Sequence, residues 1–281
     1  MTNRPLTLLC VHAHPDDEAL FTGGIEAHYA DRGVRQVLVT CTNGALGFDG
    51  HGRGSRDAAF DGERVVATRA AELEASAAIL GIDRLVQLGY ADSGMAGWPE
   101  NQHPQAFVNQ PRAEVVARLV EILEEERPQV VVTYDENGFY GHPDHIAAHE
   151  VTVAAVEACG IPDKLYTVAI PETALAGFVE LAEHGGMDLP DWIADGLVVG
   201  TPDELVQTTI DCTDVVERKH RALAAHATQT DNADLVAMDS ELFDAIFGTE
   251  MFVRMLDRTG SPLPETDLFA GVADPVTGAG S

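Results

Sequence analysis

Short apolar runs alternate with stretches of helical spacing along the first 160 residues of the chain. The runs with the length and composition of buried strands are Leu6–Val11, Gln36–Cys41, Arg84–Leu88 and Val130–Tyr134. The stretches with helical spacing, which end near glycine or proline, are Ala19–Arg32, Arg64–Leu80, Arg112–Glu126 and Asp144–Cys159. Because parallel neighbouring strands need crossover helices, this alternation predicts an α/β fold with a Rossmann-like, doubly wound, mostly parallel sheet.

Two long segments without periodicity, Asn43–Gly62 and Gly89–Pro111, follow predicted strands. Loops in this position border the crevice at the carboxyl ends of the strands, where doubly wound sheets bind their ligands. We therefore expect both loops to lie beside the functional site.

The pattern becomes less regular after residue 170, with a possible strand at Val206–Ile210 and a helix at Val215–Ala227. We expect residues 1–170 to form the Rossmann-like catalytic domain. Residues 171–281 are expected to form a smaller α+β part that covers one side of the site. The end of this part, Gly260–Ser281, is rich in Pro, Gly and Ala and is expected to be poorly ordered.

Histidine and carboxylate clusters follow two of the predicted strands. The first cluster is His12-Ala13-His14-Pro15-Asp16-Asp17-Glu18, and the second is His142-Pro143-Asp144-His145. Parallel strands end at one edge of the sheet, so side chains that follow two such strands are expected to meet. His14, Asp17 and His145 supply the three protein ligands that a catalytic zinc keeps beside a water molecule. The two clusters predict one zinc ion per chain.

Residues beside these ligands favour hydrolytic chemistry. Asp16 adjoins a ligand without being needed as one, and a carboxylate in that position can act as general base toward zinc-bound water. A protonated His142 can stabilise an oxyanion or donate a proton to a leaving amine. Asp144 would orient one of the imidazoles.

Structural roles are the alternative for the same residues. An Asp-Asp-Glu run often complements the dipole in the first turn of a helix, and Asp144 can serve as an N-cap. His149, four residues after His145, is an alternative ligand for which we favour a packing role. We expect His12 to pack or hydrogen-bond beneath the site, and His226 to lack comparable partners.

The chain carries 46 acidic and 17 basic residues, which give a formal net charge of −29. A field of this sign repels nucleic acids and anionic membranes, so neither is expected as a partner. No apolar run approaches the length of a transmembrane helix, and no signal-peptide pattern precedes the first strand. Four scattered cysteines without a CxxC pair favour a reduced, cytoplasmic protein. The acidic excess fits either salt adaptation or a GC-rich source.

Several motifs are similar to a known family. His14-Pro15-Asp16-Asp17-Glu18 and the run from Tyr134 to His145 resemble the PIG-L/LmbE-like zinc N-deacetylases. Arg69 and the turn Asp92-Ser93-Gly94-Met95 resemble the substrate loop of the family's mycothiol-pathway branch. The segment Lys219–Gln229 is also similar to those actinobacterial relatives.

The resemblance implies a role for each matching residue. Zinc would be bound by His14, Asp17 and His145, with Asp16 as general base and His142 as the charged or acidic partner. Tyr140 would polarise the substrate carbonyl, and Asp144 would tune a histidine. The residues implied in substrate binding are Arg69, Asp92, Ser93 and Met95.

The loop after the second strand departs from the family pattern. Relatives usually carry a Gly-Glu pair where this chain has Asn43-Gly44-Ala45-Leu46-Gly47-Phe48. A carboxylate that pairs with a sugar hydroxyl discriminates strongly, and its loss predicts a less selective pocket. Asp92 is then the remaining candidate for hydroxyl recognition.

These observations favour an enzyme that uses zinc to hydrolyse an N-acetyl group of an amino-sugar conjugate, a small-molecule substrate. The first expectation is N-acetylglucosaminyl-inositol in mycothiol biosynthesis, and the alternatives are a mycothiol S-conjugate amidase or a deacetylase of a specialised metabolite. A non-catalytic, zinc-stabilised sugar-binding protein is a different class, which Asp16 disfavours because such a protein needs no base. The sequence leaves the oligomeric state open, and a homo-oligomer is one of the alternatives.

Overall fold

Seven strands form one sheet in the computed structural model, which describes residues 5–185 and 200–273. The strands are β1 Thr7–His12, β2 Arg35–Thr42, β3 Arg84–Tyr90, β4 Val130–Thr133, β5 Lys164–Ala169, β6 Thr208–Asp211 and β7 Thr249–Asp257. Their spatial order is β3-β2-β1-β4-β5-β7-β6. Strands β1 to β5 are parallel, whereas β7 lies antiparallel between β5 and β6. The predicted doubly wound, mostly parallel sheet is therefore confirmed.

Helices connect most of these strands. They are α1 Gly23–Asp31, α2 Gly62–Leu80, α3 Arg112–Glu126, the single turn α4 Gly138–Gly141, α5 Pro143–Cys159, α6 Glu172–Gly185, α7 Val216–Ala225, α8 Ala233–Val236 and α9 Ser240–Phe247. A π-helical turn, Glu18–Thr22, leads into α1. Gly81 and Gly160 end α2 and α5 with left-handed φ angles of 87° and 63°, as their positions in the sequence predict. No helix among the described residues is long and apolar enough to cross a membrane.

The core lies between the sheet and two groups of helices. Helices α1, α2 and α7 contact one another, and α3 packs against α5. Every residue of β1 and β4 is buried, as expected for central strands covered on both faces. These two strands are neighbours, so the segments that follow them converge at the same edge.

Two strands have no counterpart in the sequence prediction. β5 begins with the buried Lys164, which interrupts its apolar pattern, and β7 contains Arg254. The C-terminal residues contribute both β6 and β7 to the main sheet. The predicted strand at Val206–Ile210 corresponds to β6, shifted by two residues at its start.

The expected disorder from Gly260 onward is wrong for residues 260–273. Glu265, which is 3% exposed, accepts hydrogen bonds from Lys164 Nζ at 2.6 Å, from Tyr166 at 2.8 Å and from Arg254 at 2.8 Å. Leu268 is fully buried. This segment is fixed because a buried charge network and apolar side chains attach it to β5 and β7. Residues 274–281 of the same prediction lie outside the described residues.

Candidate active site

The side chains predicted as metal ligands meet at the carboxyl ends of β1 and β4. His14 and Asp17 follow β1, and His145 lies in the first turn of α5. His14 Nδ1 lies 3.2 Å from His145 Nε2. Asp17 Oδ2 lies 3.4 Å from His14 Nδ1 and 3.5 Å from His145 Nε2. Three donor atoms therefore form a nearly equilateral triangle within the buried floor of the site.

This triangle fits a tetrahedral metal ion. Zinc bonds of about 2.0–2.1 Å place neighbouring ligand atoms roughly 3.3–3.4 Å apart, close to all three separations. Asp17 Oδ2 also accepts hydrogen bonds from the His14 backbone N–H at 2.7 Å and from the Tyr134 hydroxyl at 2.6 Å, which fix the carboxylate. A nitrogen of His142 lies within 4.8 Å of donor atoms of His14 and His145. These residues could hold a metal ion.

The Asp144 carboxylate orients the His14 ring through the nitrogen that is not part of the donor triangle. Its Oδ2 lies 3.2 Å from His14 Nε2 and accepts a hydrogen bond from the Ser93 backbone N–H at 2.9 Å. A carboxylate in this position selects the tautomer that leaves Nδ1 free to bind metal. Ser93 is fully buried, and its hydroxyl accepts from the backbone N–H of Val108 at 3.2 Å. Ser93 thus supports Asp144 through its backbone, and its contact with substrate stays a prediction.

The charges around these ligands favour a bound cation. Burial opposes a charged imidazole, but Asp92, Asp144 and Asp17 raise the pKa of His14 well above its usual value. Burial likewise opposes a charged carboxylate, yet His145 and His14 hold the pKa of Asp17 well below its usual range. A site with more carboxylates than cations stabilises a metal ion.

Asp16 occupies the left-handed backbone region, with a φ of 100° that is rare for any residue but glycine. Its backbone N–H donates to Glu18 Oε2 at 3.0 Å, and its Oδ2 lies 3.1 Å from Arg69 Nη2. Burial raises the pKa of Asp16 to about 7 against the opposing charge of Arg69. A carboxylate poised near neutral pH beside the ligands has the properties of a general base.

Arg69 lies behind Asp16 as a buried guanidinium that is 3% exposed. Nη1 donates to the Gly44 carbonyl at 2.9 Å, and Nη2 donates to the carbonyl of Pro15. A Cβ at Gly47 would lie 2.4 Å from Nη1, so the loop after β2 needs glycine there. Arg69 thus links that loop to the metal-binding turn, a positioning role that differs from the predicted direct contact with substrate.

His142 caps the start of α5. Its Nδ1 accepts a hydrogen bond from the Asp144 backbone N–H at 3.1 Å, so in this geometry the ring is neutral and carries its proton on Nε2. Burial and the neighbouring His14 and His145 lower the pKa of His142 well below its usual value. The protonated His142 stays a prediction, and in this geometry Nε2–H can donate a hydrogen bond.

Tyr140 is brought to the site by a strained turn. Phe139 has a φ of 62° and is 2% exposed, and its ring stacks on Phe21 with centroids 4.3 Å apart. A Cβ at Gly138 would lie 2.8 Å from His145 Cβ, so the turn closes tightly over α5. The Tyr140 ring consequently lies 5.1 Å from that of His145, centroid to centroid.

Asp92 and Met95 lie on the turn after β3. Asp92 Oδ1 accepts from the Gly94 N–H at 2.9 Å and lies 3.7 Å from His14 Nε2. Its Oδ2 accepts from the Leu46 N–H at 3.3 Å. Met95 is half-buried. The turn borders the site, and substrate contact by Asp92 and Met95 stays a prediction.

Comparisons with known proteins decide the family. Residues 9–156 match the PIG-L family, described as GlcNAc-PI de-N-acetylase. The chain belongs to the PIG-L family. A 1D-myo-inositol 2-acetamido-2-deoxy-alpha-D-glucopyranoside deacetylase from Acidothermus cellulolyticus is 42% identical over 279 residues, 95% of each chain. A protein of the same name from Actinosynnema mirum is 45% identical over 234 residues, 80% of this chain and 81% of that one.

The fold also resembles that of a solved structure. N,N'-diacetylchitobiose deacetylase from Pyrococcus horikoshii superposes on this PIG-L chain with a TM-score of 0.58 at 22% identity. The match covers 89% of this chain and 83% of the other. At this identity the likeness extends to the fold alone.

Sequence reasoning missed a buried layer beneath the PIG-L site. Glu18 Oε1 lies 2.6 Å from His226 Nε2 and accepts from Ser76 Oγ at 2.5 Å, while Oε2 accepts from the Asp16 N–H. Glu18 raises the pKa of His226 against the opposing effect of burial. The expectation that His226 lacks partners is wrong. Two sequence features pointed to functional roles for these residues. His226 lies in the segment Lys219–Gln229 that resembles relatives, and Glu18 ends the first cluster.

His12 and His149 take supporting positions. His12 Nε2 lies 2.7 Å from Thr22 Oγ1, which confirms a hydrogen bond beneath the site. His149 Nδ1 lies 2.8 Å from the carbonyl of Tyr134. Both histidines are buried and hold neighbouring elements together.

Proposed function

We propose that this PIG-L protein is a zinc-dependent N-deacetylase that acts on N-acetylglucosaminyl-inositol. The meeting of three donor atoms from His14, Asp17 and His145 is the observation that carries the proposal, and Asp16 adjoins Asp17 in the chain. The substrate is supported by the name shared by the relatives at 42% and 45% identity.

Each residue has a part in the proposed hydrolysis. A zinc ion on His14, Asp17 and His145 would supply Lewis acidity toward the amide and the attacking water. Asp16 takes a proton from that water and returns it to the departing amine nitrogen. The His142 Nε2–H and the Tyr140 hydroxyl donate hydrogen bonds to the acetamide oxygen as it gains negative charge. The products are acetate and the free amine.

A mycothiol S-conjugate amidase is the second candidate, favoured by the loop Asn43–Phe48. Ala45 and Phe48 offer only apolar contact there, and both oxygens of Asp92 already accept backbone hydrogen bonds. A pocket that has few free hydrogen-bonding groups for sugar hydroxyls discriminates weakly between sugars. We therefore expect a smaller preference for the inositol conjugate than in a relative with the glutamate.

A cytoplasmic location belongs to the same proposal. Cys10, Cys41 and Cys212 are buried free thiols, a pattern typical of a reducing compartment.

The test measures acetate and amine release by the zinc-loaded protein from three substrates. These are N-acetylglucosaminyl-inositol, N-acetylglucosamine and a mycothiol S-conjugate, and the first should have the highest kcat/KM. Asp16→Asn is the matched variant and should keep its zinc while kcat falls by about 10² or more. No release from any substrate by folded, zinc-loaded protein would refute the function. Normal turnover by Asp16→Asn would mean that another residue acts as the general base.

A further inference from the structure

A second group of metal-binding side chains lies beneath the candidate active site. Cys10 and His12 are on β1, and Glu26 is on α1. One donor atom of each lies within 4.8 Å of the others. Cys10 and His12 are fully buried and Glu26 is 1% exposed. None of the three has a part in the proposed hydrolysis.

The hydrogen bonds of His12 leave one ring nitrogen ready to bind a metal. Thr22 Oγ1 lies 2.7 Å from His12 Nε2 and 3.3 Å from the Glu18 carbonyl, and we assign the tautomer in which Nε2–H donates to Thr22 and the Thr22 hydroxyl donates to the carbonyl. Nε2 therefore carries the ring proton, and Nδ1 keeps a lone pair. His12 Nδ1 has no hydrogen-bond partner among the described residues.

Glu26 is a second buried side chain whose polar atoms are not satisfied by ordinary hydrogen bonds. Neither of its oxygens has a nitrogen or oxygen hydrogen-bond partner within the described part of the chain, and the Cys10 thiol is the polar side chain in contact with them. Lys219 lies near but donates to Glu250 at 2.7 Å, and Glu250 also accepts from the N–H groups of Gly24 and Ile25. A buried polar group without a partner is costly, so natural structures rarely keep one without a reason.

We propose that Cys10, His12 and Glu26 form a second metal site, which binds a divalent cation of the zinc type in a structural role. Zinc accepts thiolate, imidazole and carboxylate ligands together, whereas magnesium and calcium prefer oxygen donors alone.

The charges balance in the bound state. Metal binding displaces one proton from the Cys10 thiol and one from the Glu26 carboxyl, and the resulting two negative charges match a divalent cation. Without the cation both groups stay neutral, because burial and neighbouring carboxylates raise the pKa of Glu26 and of Cys10 well above their usual values. A neutral complex is the form that a buried core tolerates.

The site would cross-link β1 to α1 below the turn that carries His14 and Asp17. The second ion is therefore expected to stabilise the segment that presents these ligands, without touching the substrate.

Cobalt substitution separates the two sites. The full chain is produced in medium with Co²⁺, and metal content is measured together with near-ultraviolet absorption. His14, Asp17 and His145 include no thiolate, so a thiolate-to-cobalt charge-transfer band reports on the Cys10 site alone. We expect two cobalt ions per chain and this band in the wild type. Cys10→Ser should abolish the band and remove one ion.

Three further variants complete the experiment. His14→Ala should lose one cobalt ion and keep the band. Cys41→Ser, which alters another fully buried thiol on the adjacent β2, should keep both ions and the band. Glu26→Gln preserves side-chain size and should lower cobalt content by one ion, which covers the case in which Cys10→Ser fails to fold. Folded wild type with one cobalt ion and no band would overturn the proposal. Two ions with the band but no acetate release would refute only the proposed hydrolysis.

Discussion

The unusual backbone of Asp16 is held by a chain of buried contacts. Glu18 accepts its N–H and is itself paired with His226, which follows α7, and with Ser76 on α2. Arg69, also on α2, holds the carboxylate. The direction in which Asp16 points is thus set by residues distant in the sequence, and small displacements of a catalytic group lower rates strongly.

Removing the charge of Glu18 should therefore impair catalysis more than binding. In Glu18→Gln the amide cannot pair with His226 and accept the Asp16 N–H as before, so we expect kcat to fall at least about tenfold, with KM nearly unchanged. Steady-state kinetics give kcat and KM, and elemental analysis of the same sample gives its zinc content. Glu72→Gln, which alters the nearby hydrogen bonds to Thr228, is the control and should leave kcat nearly unchanged. Equal effects of both variants on kcat would contradict the positioning role.

Metal content tests the three ligands directly. His14→Ala, Asp17→Ala and His145→Ala should each lose one zinc equivalent, because two remaining donors hold zinc weakly. His149→Ala is the matched control, since this buried histidine contacts the Tyr134 carbonyl at 2.8 Å and not the donor triangle. Full zinc content in all three ligand variants would place the metal elsewhere.

The donor triangle could be predicted from the sequence because its residues follow two buried strands that end at the same edge of the sheet. The hydrogen bond that His142 Nδ1 accepts could not be predicted, since it comes from a backbone N–H of Asp144 that becomes available only when α5 begins there. The His226 contact with Glu18 joins residues 208 positions apart, and the motifs that contain the two residues do not show that they pair with each other.

At the scale of the elements, β5 depends on a segment that is distant in the sequence. Its first residue, Lys164, is fully buried and paired with Glu265 at 2.6 Å. Glu265→Gln leaves this ammonium group without a counter-charge, and the free energy of unfolding should fall by about 3–5 kcal/mol. Denaturant unfolding measures the change, with the exposed Glu172→Gln as control. A change equal to that of the control would mean that the pair contributes little.

The same pair makes stability depend on pH at the acid end. Burial opposes it, but Lys164, Ser261 and Tyr166 lower the pKa of Glu265 from 4.5 to about 2. Because the folded pKa lies below the unfolded one, this stabilisation is complete above about pH 4.5 and is lost as the pH falls through 2. It amounts to about 3 kcal/mol. Unfolding measured from pH 7 to pH 2 should show a shallower acid loss in Glu265→Gln than in the wild type.

Element prediction succeeded where periodicity was strong and failed where tertiary contacts override it. Helix α3 has the bounds that its spacing predicts, Arg112–Glu126. β5 escaped prediction because Lys164 is compatible with a buried strand only once Glu265 neutralises it, and β7, which is partly exposed, contains Arg254, paired with the same carboxylate.

At the scale of the whole molecule, the net charge of −29 means that the excess negative charges repel one another, and salt screens this repulsion. We expect Tm to rise by several degrees between about 0.05 and 0.5 M KCl, because screening stabilises the compact state. Thermal scans at constant pH measure this, and a parallel series in sucrose controls for effects unrelated to charge. A constant or falling Tm in KCl would show that screening of favourable ion pairs outweighs the repulsion.

β7 is the last strand of the sheet to be synthesised, yet it lies inside the sheet, between β5 and β6. During translation β5 therefore waits as an exposed edge, with Lys164 lacking its counter-charge, until the ribosome has released residues beyond 265. Such an edge invites pairing with other chains and cleavage by proteases. Released chains truncated before β7 should be cleaved by a protease around β5, whereas chains that extend beyond residue 265 should resist cleavage there. Protease sensitivity would thus distinguish a chain that contains β7 from one that lacks it by a single strand edge.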